Sequence, residues 1–464
     1  VVIKSGKTAA GAKAAASHTG SLAGTEAVYN AIFNQAGIIR VDTVDDMFDF
    51  GEAFSARRMP TGNRVAIITN AGGPGIIATD MTEVSGLSLA KFSKETDAAL
   101  RKHLPPTANF NNPVDVIGDA TRDRYENALE AVIKDHGVDG VLMILTPQSM
   151  TDAIGTAEAI VNIYKRSKKP ITCSFMGVVD VSAGVKHLQE NHVPVYRFPE
   201  NAARAMGALY EANRWLKRRI LPQYDLNFDT EKARGIVSES LSAGKTVLGE
   251  YDGAPLLECY GFKPCPMKLA ETASEAGRIA DELGYPLVLK VFSQQILHKS
   301  DAGGVKVNLK TRKDVEHGFT EILENAFTYA PDAQVDGVLV QKMAPVGEEV
   351  ILGVNRYPGF GHLLMFGFGG IYVELFKNVV FRLAPIGRNT ARRMIRSIKG
   401  YEMLTGFRGK PHADIEEIER LLVGLSQLVT DNPEIKELDI NPLFVHEAGG
   451  GATVADIIIT LEKE

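Results

Sequence analysis

The chain has 464 residues, with 51 Lys and Arg against 57 Asp and Glu, a formal net charge of −6, and 45% hydrophobic and 23% charged residues. At roughly 150 residues per domain that length implies about three domains, and the composition excludes a disordered or fibrous chain. The mildly acidic balance leaves no electrostatic footprint for nucleic acid, and no apolar run reaches the ~18–20 residues of a membrane span.

The sequence opens on VVIKSG, Val1 to Gly6, without Met and already inside an apolar strand. That start predicts one piece of a longer polypeptide, and its first residues carry no signal-peptide pattern. Three cysteines, Cys173, Cys259 and Cys265, are too few and too scattered for a disulfide framework or a four-cysteine zinc site. Reduced thiols and a cytoplasmic location are expected.

From Asn63 onward, strand, turn and helix repeat. The run RVAIITNAGGPGIIATDMTEVSG reads as a strand over Val65 to Thr69, a glycine turn, then a helix. A helix around Tyr125 to Lys134 is followed by buried strands at Gly137 to Pro147, Pro170 to Gly177 and Val193 to Phe198. Apolar strands alternating with helices predict a parallel sheet covered on both faces, a doubly wound α/β domain over about 60–220. Lys217 to Ala243 holds KRR, a Pro and no clear apolar period, as in a connector or flanking helix. After Leu248 a helix near Glu271 to Leu283 precedes YPLVLKVFS, VKVNL, GVLVQKM, EVILGVNR, HLLMFGFGG and VVFRLAP. These short strands predict an antiparallel-rich α+β unit over about 245–464. Helices return at Thr390 to Lys399 and Ile415 to Leu428, and two strands, IKELDINPLFV and GATVADIII, close the chain.

Four constellations can carry chemistry. In ASHTGSLAG, Ala16 to Gly24, His18 stands among Ser17, Thr19, Gly20, Ser21 and Gly24. Small residues let another group approach the imidazole, and hydroxyls or N–H groups can hold an anion beside it. Imidazole titrates near neutrality, so it serves as nucleophile or proton carrier. A surface histidine capping the next helix is the plainer alternative. In TNAGGPG, Asn70, Gly72 and Gly73 open a helix whose free N–H groups and dipole favour phosphate, at the strand ends where open α/β sheets bind ligands. Such turns are often only geometric. The third stretch, VLKVFSQQILHKSDAGGVKV, places Lys290 on a strand before a loop with His298, Lys299, Asp301, Gly303 and Gly304. It fits a lid over nucleotide phosphates, departs from the Walker-A pattern, and has a solvated hairpin tip as its alternative. The fourth, ELDINPL with TVADIII, brings Asp439, Asn441 and Asp456 onto adjacent strands. Their oxygens suit Mg²⁺; turn chemistry at Asn441-Pro442 is the alternative.

Taken in this order, these motifs resemble the NDP-forming acyl-CoA synthetase family, which includes ADP-forming acetate–CoA ligases and has succinyl-CoA ligase as a relative. SHTGSLAG is similar to the family's phosphohistidine loop. VLKVFSQQILHKSDAGGVKV, VGEEVILGV, MFGFGGIYVELFKNVVFRLAPI and ELDINPL are similar to its ATP-grasp domain. The resemblance implies the C-terminal part of a succinyl-CoA-synthetase-like domain at 1–55, a flavodoxin-like domain at 60–220, a linker at 221–244 and an ATP-grasp domain at 245–464. It implies the reaction acid + CoA + ATP ⇌ acyl-CoA + ADP + phosphate on a small carboxylic acid, acetate-like or a hydroxy acid. His18 would be the phosphorylated nucleophile, and His298 a second histidine that relays phosphate in some members. Lys290 and Glu349 would hold phosphates and ribose. Gln341, Lys342 and Met343 would form the hinge facing adenine, and Asn441 and Asp456 would hold Mg²⁺.

The family normally begins with a CoA-binding domain that this sequence lacks. The coenzyme A site would therefore lie mostly outside the chain, and a CoA-binding domain or subunit is the implied partner, in a homodimer or heterotetramer. Asn378 stands where relatives often carry Asp, and Ile458 replaces a basic residue expected near Asp456. Two other readings compete: a synthetase-like regulatory part of a protein acetyltransferase, whose relatives typically lose the loop histidine, and a non-catalytic nucleotide-binding subunit. The acid, and the choice of ATP or GTP, stay open.

Overall fold

Val, Ile and Leu runs in the first half assemble into an all-parallel sheet, as the two-sided apolar pattern requires. The computed structural model describes residues 1–8, 10, 11, 13, 26–293, 295, 296, 299–369 and 378–463. It separates into two compact units, one of Val1–Ala23 and Ala36–Arg219, the other of Gly24–Gln35 and Ile220–Glu464.

In the first unit the strand order is Ser88–Leu89, Arg64–Thr69, Gly140–Leu145, Ile171–Phe175 and Val195–Tyr196, with Val114–Asp115 pairing the end of Arg64–Thr69. Successive residues point to opposite faces. Val65, Ile67, Leu142 and Ile144 pack with helices Val44–Ser55, Gly72–Val84 and Pro199–Leu216. Ala66, Ile68, Val141, Met143 and Leu145 pack with Lys94–His103, Arg122–Lys134, Ala153–Arg166 and Ser182–Glu190. This is the flavodoxin-like doubly wound order. Each fully buried Val, Leu or Ile contributes about 1.5–3 kcal/mol relative to exposure, so the two faces supply most of the driving force. A short parallel pair, Val2–Ile3 with Arg40–Val41, lies apart from the main sheet.

The second unit contains two antiparallel sheets. One has the order Met267–Ala270, Gly337–Lys342, Leu287–Phe292, Val305–Leu309, with helices Ala273–Leu283 and Arg312–Tyr329 in its core. Thr272 and Thr311 start those helices by accepting the Glu275 and Asp314 N–H groups. The other runs Val379–Leu383, Gly361–Phe368, Glu348–Tyr357, Ile435–Val445, Ile457–Leu461, Val247–Leu248, with Ala452–Val454 also on Ile435–Val445. Helices Thr230–Ser242, Glu250–Glu258, Arg388–Arg396 and Ile415–Asp431 share its core. Helix Glu26–Ala36 seats Val28 and Ala31 against Leu363. Its Gln35 amide donates to the Leu383 carbonyl at 2.8 Å and accepts the Leu383 N–H at 2.7 Å, capping the edge strand as a neighbouring strand would.

One expected strand is two. GATVADIII breaks at Ala455-Asp456: Val454 faces Leu443 and Ile457 faces Ile440, leaving Asn441-Pro442 and Ala455-Asp456 opposed outside the regular ladder. The break keeps its own bonds, Asn441 N–H to the Asp456 carbonyl at 3.2 Å and Ala455 N–H to the Pro442 carbonyl at 3.1 Å.

Candidate functional site

The break at Ala455-Asp456 is where the second unit gathers its charged groups. Lys290, on the central part of strand Leu287–Phe292, has a side chain only 8% exposed. Burying an ammonium costs several kcal/mol unless its donors are satisfied, and here two are hydrogen-bonded and a second carboxylate stands near. Nζ donates to Glu250 Oε1 at 3.1 Å and to the Ala455 carbonyl at 2.8 Å, and lies 3.5 Å from Asp456 Oδ2. Gln341, buried on the neighbouring strand, donates to the same Ala455 carbonyl at 3.1 Å. Lys299 reaches the other Glu250 oxygen at 2.5 Å. Burial penalises the Glu250 carboxylate, but the Lys290 and Lys299 ammonium groups outweigh it and hold its pKa below the ordinary value. Burial, and the Glu250 carboxylate beside it, push Asp456 up against the pull of Lys290.

Gly303 and Gly304 complete the turn that begins at Lys299. Gly304 N–H donates to the Lys299 carbonyl and Val291 N–H to the Gly304 carbonyl, both at 2.8 Å. A Cβ on Gly304 would stand 2.5 Å from Val291 Cγ1, and Gly303 sits at φ +58°, so the pair has a steric reason in the turn itself. Lys342 and Met343 follow Gln341 as the strand leaves the sheet. Their N–H groups go to the Pro266 and Pro286 carbonyls at 2.8 and 3.2 Å, and the Lys342 ammonium to the Tyr285 carbonyl at 2.9 Å. Glu349 is exposed on strand Glu348–Tyr357, and its carbonyl accepts the Gly369 N–H at 2.8 Å. Asn441 is exposed on the strand opposite Asp456, which is 35% exposed. One amide oxygen and one carboxylate fit Mg²⁺, which binds through one or two protein oxygens while keeping waters and substrate phosphates. Among the described residues no group of three His, Cys, Asp or Glu forms a closed metal site.

In the first unit, Asn70, Gly72 and Gly73 lie at the C-terminal edge of the parallel sheet. The helix after Arg64–Thr69 packs on one face and the helix after Gly140–Leu145 on the other, so these two strand ends flank the topological switch point. Asn70 is 3% exposed, and its side chain turns inward across that point. It donates to the Thr146 carbonyl at 2.8 Å and accepts the Thr146 N–H and hydroxyl at 2.8 and 2.9 Å. Gly72 and Gly73 are exposed in the first turn of helix Gly72–Val84, and a Cβ on either would meet nothing within 4 Å. The helix has no side-chain cap, so its N-terminal N–H groups keep the character of an anion site. His18 and His298 lie outside the described residues.

Three domain families match in series: a succinyl-CoA ligase like flavodoxin domain over 1–54, a Ligase-CoA domain over 65–220 and an ATP-grasp domain over 239–461. The chain is 47% identical over 232 residues to acetate–CoA ligase (ADP-forming) II subunit beta of Pyrococcus furiosus, covering 98% of that protein and 50% of this chain. The chain belongs to the NDP-forming acyl-CoA synthetase family. It is also 42% identical over 465 residues to acetate–CoA ligase (ADP-forming) I of Archaeoglobus fulgidus, and 39% over 465 residues to 4-hydroxybutyrate–CoA ligase (ADP-forming) of Nitrosopumilus maritimus. These alignments take in 100% and 99% of this chain and 66% of each relative, so the chain spans just under two thirds of their length. Among the described residues no helix is long and apolar enough to cross a membrane.

In this chain the α/β fold with a parallel flavodoxin-like sheet and an antiparallel ATP-grasp unit agrees with the sequence reading. The residue that reading missed is Glu250. It opens helix Glu250–Glu258, where an acidic side chain is ordinary dipole chemistry, and its lysines come 40 and 49 residues later. Only the tertiary fold joins them.

Proposed function

We propose that this chain carries the nucleotide and phosphohistidine machinery of an ADP-forming acyl-CoA synthetase, catalysing acid + CoA + ATP ⇌ acyl-CoA + ADP + phosphate. The observation that supports it most is the buried Lys290, with Glu250, Lys299 and Asp456 around it in the ATP-grasp unit. In this reading Lys290 and Lys299 bind phosphate oxygens, Glu349 takes the ribose hydroxyls, and Gln341 to Met343 border the adenine. Since the Lys342 and Met343 N–H groups are already engaged, the base would be met through carbonyls. Mg²⁺, held by Asn441 and Asp456, would neutralise charge on the phosphates.

His18 is the acceptor. Its imidazole nitrogen attacks the γ-phosphorus, the bond to the β–γ bridging oxygen breaks, and ADP leaves. The phosphoryl group then passes to the acid's carboxylate, and the thiol of CoA displaces phosphate from the acyl phosphate. Gly72 and Gly73 offer helix N–H groups to the transferred phosphate; in a relayed version of the first step His298 takes the γ-phosphoryl group from ATP, releasing ADP, and hands it to His18, which frees the His298 imidazole. A chain with segments 1–55, 60–220, 221–244 and 245–464, working with a CoA-binding domain or subunit in a homodimer or heterotetramer in the cytoplasm, fits this reaction. The names of the relatives favour acetate or a short hydroxy acid as substrate.

The test is multiple-turnover ADP formation, beyond the one ADP per site that phosphorylation of His18 releases, by the full-length protein with ATP and acetate, 4-hydroxybutyrate or larger acids. Formation that requires both acid and CoA and is lost in His18→Ala supports the proposal. Formation that needs neither contradicts it.

A further inference from the structure

Glu250 plays no part in the reaction just proposed, yet it has the least exposed side chain of the cluster, at 1%. Each carboxylate oxygen takes a different lysine from a different segment: Oε1 takes Lys290 from strand Leu287–Phe292, and Oε2 takes Lys299 from the turn that follows it. Two ammonium groups this close repel strongly away from water, and the carboxylate between them is what makes the arrangement stable. A buried ion pair is weak evidence for stability as such. Here it sets geometry. Among the described residues Glu250 is the one hydrogen-bonded partner of the Lys299 ammonium. The rest of the turn is closed by backbone bonds, Gly304 N–H to the Lys299 carbonyl at 2.8 Å and Gly303 N–H to the Ser300 carbonyl at 3.1 Å, and by Asn325 donating to the Gly303 carbonyl at 3.0 Å. Glu250 itself is held at the first turn of its helix, where the dipole favours a carboxylate.

We propose that Glu250 is a positioning residue, whose carboxylate holds the Lys290 and Lys299 ammonium groups convergent and keeps the Lys299–Gly304 turn seated on strand Leu287–Phe292 before nucleotide arrives. The inference rests on the nucleotide site proposed above. It assigns Glu250 no contact with the nucleotide. Preorganised lysines spend less binding energy on ordering, so the effect belongs to affinity and to the turn, in a protein that has bound nothing.

The experiment uses the full-length protein and the variants Glu250→Gln, Glu250→Asp and Lys299→Met, with two readouts. One is amide hydrogen exchange at Gly303 and Gly304 without nucleotide, and the other is calorimetric titration with ADP and Mg²⁺. Glu250→Gln is expected to speed exchange at those two amides and raise the ADP Kd, each by about tenfold or more, while amides of Gly337–Lys342 keep their protection. Glu250→Asp recovers part of the affinity. Lys299→Met, which leaves Glu250 paired with Lys290, loosens the same two amides and guards against a misfolded Gln variant. Unchanged exchange and unchanged Kd overturn the proposal. Tighter ADP binding by Glu250→Gln overturns it too, because the carboxylate would then compete with phosphate rather than arrange the lysines. A wild-type protein that binds no ADP defeats the nucleotide reading, and exchange at Gly303 and Gly304 still decides whether Glu250 seats the turn.

Discussion

At the edge of the parallel sheet the groups on offer are neutral, the N–H groups of Gly72 and Gly73 and an Asn70 amide locked to Thr146. In the ATP-grasp unit they are charged and buried, with Lys290 and Lys299 sharing Glu250 beside Asp456. A helix N-terminus holds an anion with fixed dipoles and needs no counter-charge of its own. Buried lysines bind phosphate more strongly but must be kept satisfied when phosphate is away, which is why a carboxylate accompanies them. In the proposed reaction the first arrangement would take the phosphoryl group that is passed on, and the second would grip the triphosphate.

The largest effect expected from this difference is at Lys290. Lys290→Met leaves Glu250 and Asp456 with one ammonium fewer. We expect ADP affinity to fall about a hundredfold, and stability by about 3–5 kcal/mol, measured by calorimetry and denaturant unfolding. An ordinary affinity in this variant would place the nucleotide elsewhere. Gly73→Val breaks the comparison from the other side. Its Cβ meets nothing within 4 Å, so stability stays within about 1 kcal/mol, and ADP affinity is unchanged. Acyl-CoA formation falls about tenfold or more, because the branched side chain obstructs the N–H groups. A variant with full turnover would relegate this turn to geometry.

The smallest effect is a pH dependence confined to the first unit. Burial raises the pKa of Glu52, as does the nearby Asp49 carboxylate; burial likewise raises Asp49, with Asp46 adding to it. A carboxyl that is harder to ionise when folded binds its proton more tightly in the native state. Its contribution to stability is therefore full below the ordinary carboxylate range and is lost as pH rises through the raised value. Glu52→Gln, whose amide oxygen can still accept the Val195 N–H held by Glu52 at 2.8 Å, is expected to flatten the fall of stability as pH rises from the ordinary carboxylate range toward neutrality. It should gain on wild type toward neutrality. Urea unfolding across that range checks it, and parallel curves would show that Glu52 is not the titrating group.

Much of this architecture was legible because burial on two faces writes itself as unbroken apolar runs. Val65 to Thr69 and Gly137 to Pro147 are such runs, and they hold strands Arg64–Thr69 and Gly140–Leu145. Strands of two residues, Ser88–Leu89 and Val114–Asp115, are too short to leave a period. Helix Thr230–Ser242 buries only Ala233 and Val237, so its stripe is nearly invisible in a polar stretch. The split at Ala455-Asp456 was hidden by continuous β-forming residues on both sides. In the site, lysine, glycine pair and acidic strands were visible as motifs. Their counter-ion was not, because nothing near Glu250 in the chain announces two lysines that approach it only through the fold.

The central claim is that the γ-phosphoryl group of ATP comes to rest on His18. Incubating the full-length protein with γ-labelled ATP and Mg²⁺, beside His18→Ala and His298→Ala, tests it directly. The account predicts a label that is lost in acid and kept in alkali, absent from His18→Ala and still formed on the wild type. A wild-type protein that binds ATP without acquiring label, or a His18→Ala variant that labels as well as wild type, would contradict it.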